Sequence, residues 1–119
     1  MGRDIRSYNV FKASHALTLE VYKITGSFPA QEKFALSNQM RRSASSVPMN
    51  LVEGSARGHE SEFRQFVNIA RGSCAELSYQ LELSRDLSYI DSLLFDRLFA
   101  QCGEIGKMLN VLHQRLMAK

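Results

Sequence analysis

Nine polar side chains near the middle of this 119-residue chain have the types and spacing to act together: Gln39, Arg41, Arg42, Ser46, Asn50 and Glu53 in one segment, and Arg71, Ser73 and Glu76 in the next. Gln39, Arg42, Ser46, Asn50, Glu53 and Arg57 recur at steps of 3, 4, 4, 3 and 4. That spacing lines them along one helix face, ~140° from the apolar face at about 100° per residue. A carboxylate (Glu53), an amide (Asn50), a hydroxyl (Ser73) and a guanidinium (Arg71) gathered in one cleft could hold a polar small molecule or serve acid–base chemistry. The same groups could instead satisfy one another, bond backbone groups freed by Pro48, or pair Glu53 with Arg71. A structural network needs only mutual hydrogen bonding, whereas catalysis needs a poised acid, base or nucleophile. The pattern therefore favours structure or partner binding, and no catalytic residue is assigned.

Other chemistries find less support. His15, His59 and His113 are scattered, and neither Glu-x-x-His, HExxH nor a Cys/His zinc spacing occurs, so no metal and no cofactor is expected. Ser45-Ser46 has no adjacent base to activate a nucleophile. Gly54-Ser55-Ala56-Arg57-Gly58 lacks the Lys-Ser/Thr ending of a phosphate loop and reads as a helix stop. Arg41, Arg42, Arg57, Arg64 and Arg71 could meet RNA phosphates. Interleaved Glu53, Glu62 and Glu76 favour ion pairing instead. No aromatic-plus-basic motif for base stacking is present.

These residues sit on elements with strong helical periodicity. A first helix over 9–25 carries Val10, Ser14, Leu17, Val21 and Ile24 on one face and stops at Gly26. Ser27-Phe28-Pro29 turns the chain, and Ala30 to Phe34 can form a short helical segment. A second helix begins at Ser37, whose hydroxyl would cap it, with Met40, Ala44, Val47 and Leu51 inward. Pro48 removes the amide that would return to the Ala44 carbonyl, which predicts a kink rather than a break. Gly54 and Gly58 end that helix. A third runs from His59 or Glu60 to about Leu87, with Phe63, Phe66, Val67, Ala70, Cys74, Leu77 and Leu81 inward. A fourth, capped by Asp91 or Ser92, has a heptad seam of Leu98, Cys102, Ile105, Leu109, Leu112 and Leu116. Four such rods with short connections predict an all-α, antiparallel up-down-up-down four-helix bundle, kinked in its second helix at Pro48. Residues 1–119 form one domain, with 1–7 a flexible lead-in.

Composition narrows the class further. With 45% hydrophobic and 23% charged residues, the chain can build an ordinary globular core. Residues 1–58 carry 8 basic and 4 acidic side chains against 7 and 8 in residues 59–119, so the net charge of +3 arises in the first half. That asymmetry permits a phosphate-bearing partner without demanding one. Cys74 and Cys102 lack CxxC spacing, suit a reducing cytoplasm and read as small core hydrophobes. No uncharged apolar run approaches a membrane span and no secretory signal opens the chain, so a cytoplasmic location is expected.

The apolar surface exceeds what one bundle uses. Phe95, Phe99 and Met117 lie to one side of the fourth helix's seam and Met108 and Val111 to the other, while Phe11, Leu19 and Tyr22 leave the core line of the first helix. Exposed together they would exceed the patch a monomer tolerates, which predicts self-association. The segment from Phe28 to Leu36 is the other candidate cover.

Leu36-Ser37-Asn38-Gln39-Met40-Arg41-Arg42-Ser43-Ala44, Ser46-Val47-Pro48-Met49-Asn50-Leu51-Val52-Glu53-Gly54 and Ala70-Arg71-Gly72-Ser73, with Val21-Tyr22 and Phe28-Pro29, carry a family resemblance. From about Tyr8 to Leu112 the chain resembles the bacterial four-helix-bundle proteins first noted as products of reading frames inside 23S rRNA intervening sequences. Ala35 stands where a glycine is common, which affects only the local turn. The resemblance implies an antiparallel bundle that assembles into a homopentamer. It also implies kinship of fold with the accessory protein of diversity-generating retroelements, a basic pentamer that binds reverse transcriptase and RNA. It brings no established catalytic residues.

Two functional expectations follow. The first is a non-enzymatic homo-oligomeric scaffold that binds RNA or a nucleoprotein partner. The second is a small-molecule-binding or enzymatic bundle built on Asn50, Glu53, Arg71 and Ser73.

Overall fold

Four runs of three- and four-residue apolar spacing become four long helices in the computed structural model, which describes residues 4–118. They are α1 (Asn9–Thr25), α2 (Leu36–Ala56), α3 (Glu60–Asp86) and α4 (Ser92–Met117). Two 3-10 turns, Ile5–Ser7 and Ala30–Glu32, are the other regular elements, and no strand occurs among the described residues. Each helix packs on the next and α1 closes on α4, giving an all-α four-helix bundle of 46 × 24 × 20 Å. The α1–α4 seam is the least extensive of the four.

The inward faces anticipated from periodicity make one contiguous core. Val21, Met40, Leu51, Phe63, Val67, Leu81, Leu98 and Leu109 are fully buried within it. Phe66 and Leu112 are only half-buried, at the edges of their stripes. Within the segment expected to be a flexible lead-in, Ile5–Ser7 forms a 3-10 turn against α1 and α2, with Ile5 buried in the same core. Met1–Arg3, the start of that expected segment, lie outside the described residues.

Helix ends show which local signals won. Asp91 caps α4 as anticipated, its carboxylate accepting from the Leu94 amide at 2.8 Å. Ser37 does not cap α2. The helix starts one residue earlier, Ser37 is buried inside it, and Glu32 Oε1 accepts from the Leu36 amide at 3.3 Å. Glu32 Oε2 also accepts from the Tyr89 hydroxyl at 2.7 Å, and Phe28 packs on the Tyr89 ring. The 28–36 segment therefore closes the bundle end against the α3–α4 connection and leaves Leu19 exposed. At the end of α3, Ser88 takes φ 64° and the Tyr89 amide returns to the Ser84 carbonyl at 2.8 Å, a left-handed stop that no glycine announces.

Gly54 is not the stop it resembled. It is buried inside α2, where an added Cβ would stand 2.7 Å from Phe66 Cβ and 2.8 Å from Phe63 Cδ1. Its missing side chain lets α2 and α3 approach closely at their junction, and the helix ends two residues later.

Pro48 is the other irregular position in α2, and the helix runs through it unbroken. Proline returns no amide to the Ala44 carbonyl, which is buried and must find another donor. α1 supplies it: Thr18 Oγ1 donates to Ala44 O at 3.1 Å and shares its hydrogen with Ser14 O at 2.7 Å. Thr18→Val keeps the shape and removes that donor, so it should destabilise the fold by about 1–2 kcal/mol. In a Pro48→Ala background the restored amide can serve Ala44, and the cost of Thr18→Val should fall by about 1 kcal/mol. Urea unfolding of the four proteins in this cycle measures the coupling; additive effects would break the assignment.

Candidate functional site

Ser46 and Asn50, one helical turn apart on α2, face Ser73 on α3. The Ser46 and Ser73 hydroxyls lie 2.8 Å apart. Asn50 Nδ2 donates to the Ser46 carbonyl at 2.7 Å and to Ser46 Oγ at 2.9 Å. All three residues are half-buried. This chain of short hydrogen bonds ties α2 to α3, and it is the part of the expected polar cluster that the fold brings together.

The rest of that cluster disperses. Glu53 does not reach Arg71; it is exposed and accepts from Arg57 at 2.9 Å, a residue four further along the same helix face. Arg71 turns toward α4 instead, donating from Nε to Asn110 Oδ1 at 2.9 Å and from a terminal nitrogen to Asn68 Oδ1 at 3.0 Å. Arg41 serves the end of α1: its Nε donates to Thr25 Oγ1 at 2.8 Å, a terminal nitrogen donates to the Tyr22 carbonyl at 3.2 Å, and the guanidinium lies 4.9 Å over the Tyr22 ring. A cation there meets carbonyls that the last turn of a helix leaves without partners. Gln39, Arg42 and Glu76 are exposed and stand apart from the Ser46–Asn50–Ser73 chain.

The anticipated ion pairing of the arginines is corrected accordingly. Of the five singled out, Arg57 alone has a carboxylate within 4.0 Å among the described residues, Glu53 at 2.9 Å and Glu62 at 3.9 Å. Arg71 finds neutral amides because Asn68 and Asn110 occupy the positions next to it. His113 on α4 feels this charge. Its partial desolvation, followed by the Arg71 and Arg64 guanidinium groups, holds its imidazole below the usual pKa. Arg64, Asn68 and Arg71, with Asn110 and His113, thus form a cationic and amide-rich surface across α3 and α4. Sequence reasoning missed Asn68, Asn110 and His113, although 64, 68 and 71 do share a helix face.

Several grooves mark the surface of the described residues, and three of them adjoin residues singled out above. One of about 620 Å³ lies between α1 and α4 and includes Ala13, Ala16, Leu17, Leu19, Ala100 and Ile105. A second, about 570 Å³, lies between α3 and α4 below Arg71 and Asn110, with Gly72, Gly103 and Gly106 along it and both cysteines reached from it. A third, about 500 Å³, holds Glu53, His15 and Pro48 between α1 and α2. None of the three gathers Asn50, Glu53, Arg71 and Ser73. A Cβ added at Gly72 would meet nothing within 4 Å. Among the described residues no group of three or more His, Cys, Asp or Glu side chains is placed to hold a metal ion, and no helix is long and apolar enough to cross a membrane.

The off-seam apolar residues divide. Phe95 is buried beside Phe99 and under the Arg85 guanidinium, and Phe11 and Met108 are half-buried. Leu19, Tyr22, Phe99, Val111 and Met117 are exposed.

A family model described as 23S rRNA-intervening sequence protein matches residues 6–111. The chain belongs to that family. Similarity to a solved structure agrees on the fold: a protein of unknown function from the S23 ribosomal protein family of Bacteroides thetaiotaomicron superposes with a TM-score of 0.82 at 24% identity, covering 88% of this chain and 95% of that one. No curated protein matches significantly.

For this family member, the His113 environment gives a pH signature. The folded state favours neutral imidazole, so the unfolded chain binds the proton more readily. His113 therefore takes stability away as pH falls from the ordinary imidazole range toward its lowered folded value, and takes none at higher pH. The His113 ring resonances should titrate below the usual midpoint. Arg71→Gln should move that midpoint upward, and an unmoved midpoint would remove Arg71 as a cause.

Proposed function

We propose that this chain is a non-enzymatic, self-associating helical scaffold, a ring of five cytoplasmic copies, that holds RNA through surface arginines. The observation that carries the self-association is the α1–α4 groove. Its floor is Leu17 and Ile105, its walls include Ala13, Ala16 and Ala100, and its rim bears Leu19 at 59% exposure. Small residues along two adjacent helices let a further helix approach closely, and an exposed leucine beside them gives that helix something to bury. The seam is also the least extensive within the bundle, so a neighbouring copy would add packing where the lone chain has least. The five-fold number rests on the family resemblance.

The RNA reading is supported by charge that the protein leaves uncompensated. Arg42, Arg64 and Arg71 have no carboxylate within 4.0 Å among the described residues, so each is free to replace a counterion on a phosphate. Two free thiols suit the cytoplasmic setting.

Light scattering on the purified protein should return a mass near five times 13.5 kDa. Leu19→Glu places a charge at an exposed position, so it should leave the fold within about 0.5 kcal/mol and dissociate the assembly. A monomeric native protein ends the scaffold reading, and an L19E variant that stays assembled moves the interface away from this groove.

Gel-shift titration with structured RNA at two salt concentrations tests the second half separately. Binding should weaken as salt rises, and Arg42→Gln with Arg64→Gln should reduce the salt slope by about one per residue. Binding that is absent or indifferent to salt leaves a scaffold without RNA.

A further inference from the structure

Cys74 and Cys102 lie 28 residues apart in sequence, on different helices, with their sulfur atoms 3.6 Å apart. Each thiol also reaches the other residue's backbone: Cys74 Sγ to the Cys102 carbonyl at 3.4 Å and Cys102 Sγ to the Cys74 carbonyl at 3.3 Å. Both are free and buried. The pair also has a way out. The α3–α4 groove reaches both cysteines, and Gly72, Ala75, Gly103 and Gly106 along it offer little side chain to cover them. Even the nearest glycine leaves room: a Cβ on Gly106 would stand 3.9 Å from Cys74 Sγ, while one on Gly72 or Gly103 would meet nothing within 4 Å.

We propose that Cys74 and Cys102 are a peroxide-oxidisable dithiol that closes into a reversible disulfide between α3 and α4 without unfolding of the bundle. The two thiols have unequal roles. The hydrogen bond between the two thiols holds the Cys74 thiol below its usual pKa against the opposing effect of burial. The same hydrogen bond and burial push the Cys102 thiol up. Cys74 is also the more exposed, at 5% against 1%. As the sulfur more exposed to the groove, Cys74 is assigned the attacking role and Cys102 the resolving one.

In the first step Cys74 sulfur attacks one oxygen of a hydroperoxide. For hydrogen peroxide the O–O bond breaks, the departing hydroxide takes the Cys74 proton and leaves as water, and Cys74 becomes a sulfenic acid. In the second step Cys102 sulfur attacks Cys74 sulfur. The S–O bond breaks, the hydroxide takes the Cys102 proton, and a second water leaves. The two thiols lose two electrons in total and the peroxide gains them. A thiol reductant reverses the bond by exchange. Closing 3.6 Å to the ~2.05 Å of a disulfide draws the sulfurs together by about 1.5 Å, a distance within reach of side-chain rotation and a small helix shift.

The test treats the native reduced protein with millimolar hydrogen peroxide, then denatures it with an alkylating reagent present. The expected product is a single chain lighter by about 2 Da, with neither cysteine alkylated and both mass and alkylation restored by dithiothreitol. Proteolysis should return the peptides of Cys74 and Cys102 joined. In Cys102→Ala a sulfenic-acid trap should label Cys74, whereas in Cys74→Ala the remaining thiol should react at least tenfold more slowly. Gly106→Ala narrows the groove and should slow disulfide formation without preventing folding. Phenylarsine oxide, which bridges two close thiols, should form a one-to-one adduct with the wild-type protein, so the pair can be judged even where a cysteine variant does not fold. Two alkylatable thiols after peroxide, a disulfide that joins two chains, or a reaction that requires prior denaturation would each overturn the proposal.

Discussion

A proline in the interior of a helix leaves a carbonyl that the helix itself cannot satisfy, and the arrangement of this bundle starts from that one group. Pro48 frees the Ala44 carbonyl on the buried side of α2, and Thr18 of α1 answers it. A carbonyl on one helix and a single hydroxyl on another specify a longitudinal register, which apolar stripes alone leave loose. Further along α1, Arg41 of α2 bonds Thr25 and the Tyr22 carbonyl. The two ties run in opposite sequence directions along the two helices, as antiparallel packing requires. Each remaining seam has its own polar tie. Ser46 meets Ser73 between α2 and α3, the two cysteines and the Arg71–Asn110 bond join α3 to α4, and Arg97 pairs with Glu20 at 3.3 Å between α4 and α1. Exposed, that last pair contributes only about 0–1 kcal/mol, which fits the α1–α4 seam being the most open.

The helices were legible because burial on one face imposes a period that local sequence displays directly. α1 spans the residues its periodicity predicts, and the heptad on α4 is buried from Leu98 to Leu109. End signals were legible only where the residue type and the geometry coincide, as at Asp91. They failed where a long-range partner intervened: Glu32 took the capping role assigned to Ser37, and Ser88 accepted a left-handed backbone that usually announces itself as glycine. Gly54 shows the opposite error, a glycine whose cause is a neighbour's aromatic rings rather than the end of its own helix. Pro48 was read correctly as freeing Ala44, but its partner lies 26 residues earlier in sequence and no local pattern points from one to the other.

The polar cluster was half legible for the same reason. Spacing on α2 puts Ser46, Asn50 and Glu53 near one another, and it cannot say which of them faces α3. Rotation of α2 about its axis decides that, turning Ser46 and Asn50 toward Ser73 and leaving Glu53 to Arg57 at the rim. Arg71 follows the geometry of α3, which aims it across the α3–α4 groove to Asn110. Its two amide partners accept hydrogen bonds without cancelling its charge. Arg41, by contrast, is engaged by the end of α1, so neighbours in sequence, Arg41 and Arg42, have different environments. A count of arginines is therefore a poor guide to the charge a surface offers; the atoms each guanidinium already holds decide it.

Space, like charge, is distributed unevenly. A glycine inside a helix is less favourable than alanine by about 1 kcal/mol, so each one needs a compensating reason. Gly54 has that reason within the chain, in Phe63 and Phe66. Gly72, Gly103 and Gly106 do not: an alanine methyl at any of them would meet at most an ordinary contact, 3.9 Å from Cys74 Sγ at Gly106. The three lie along one groove, from which the paired thiols are reached. Packing within the chain accounts for Gly54 and not for the other three, which leave the groove over Cys74 and Cys102 open. In the proposed dithiol these glycines keep the groove open over the two sulfurs, which lie 3.6 Å apart.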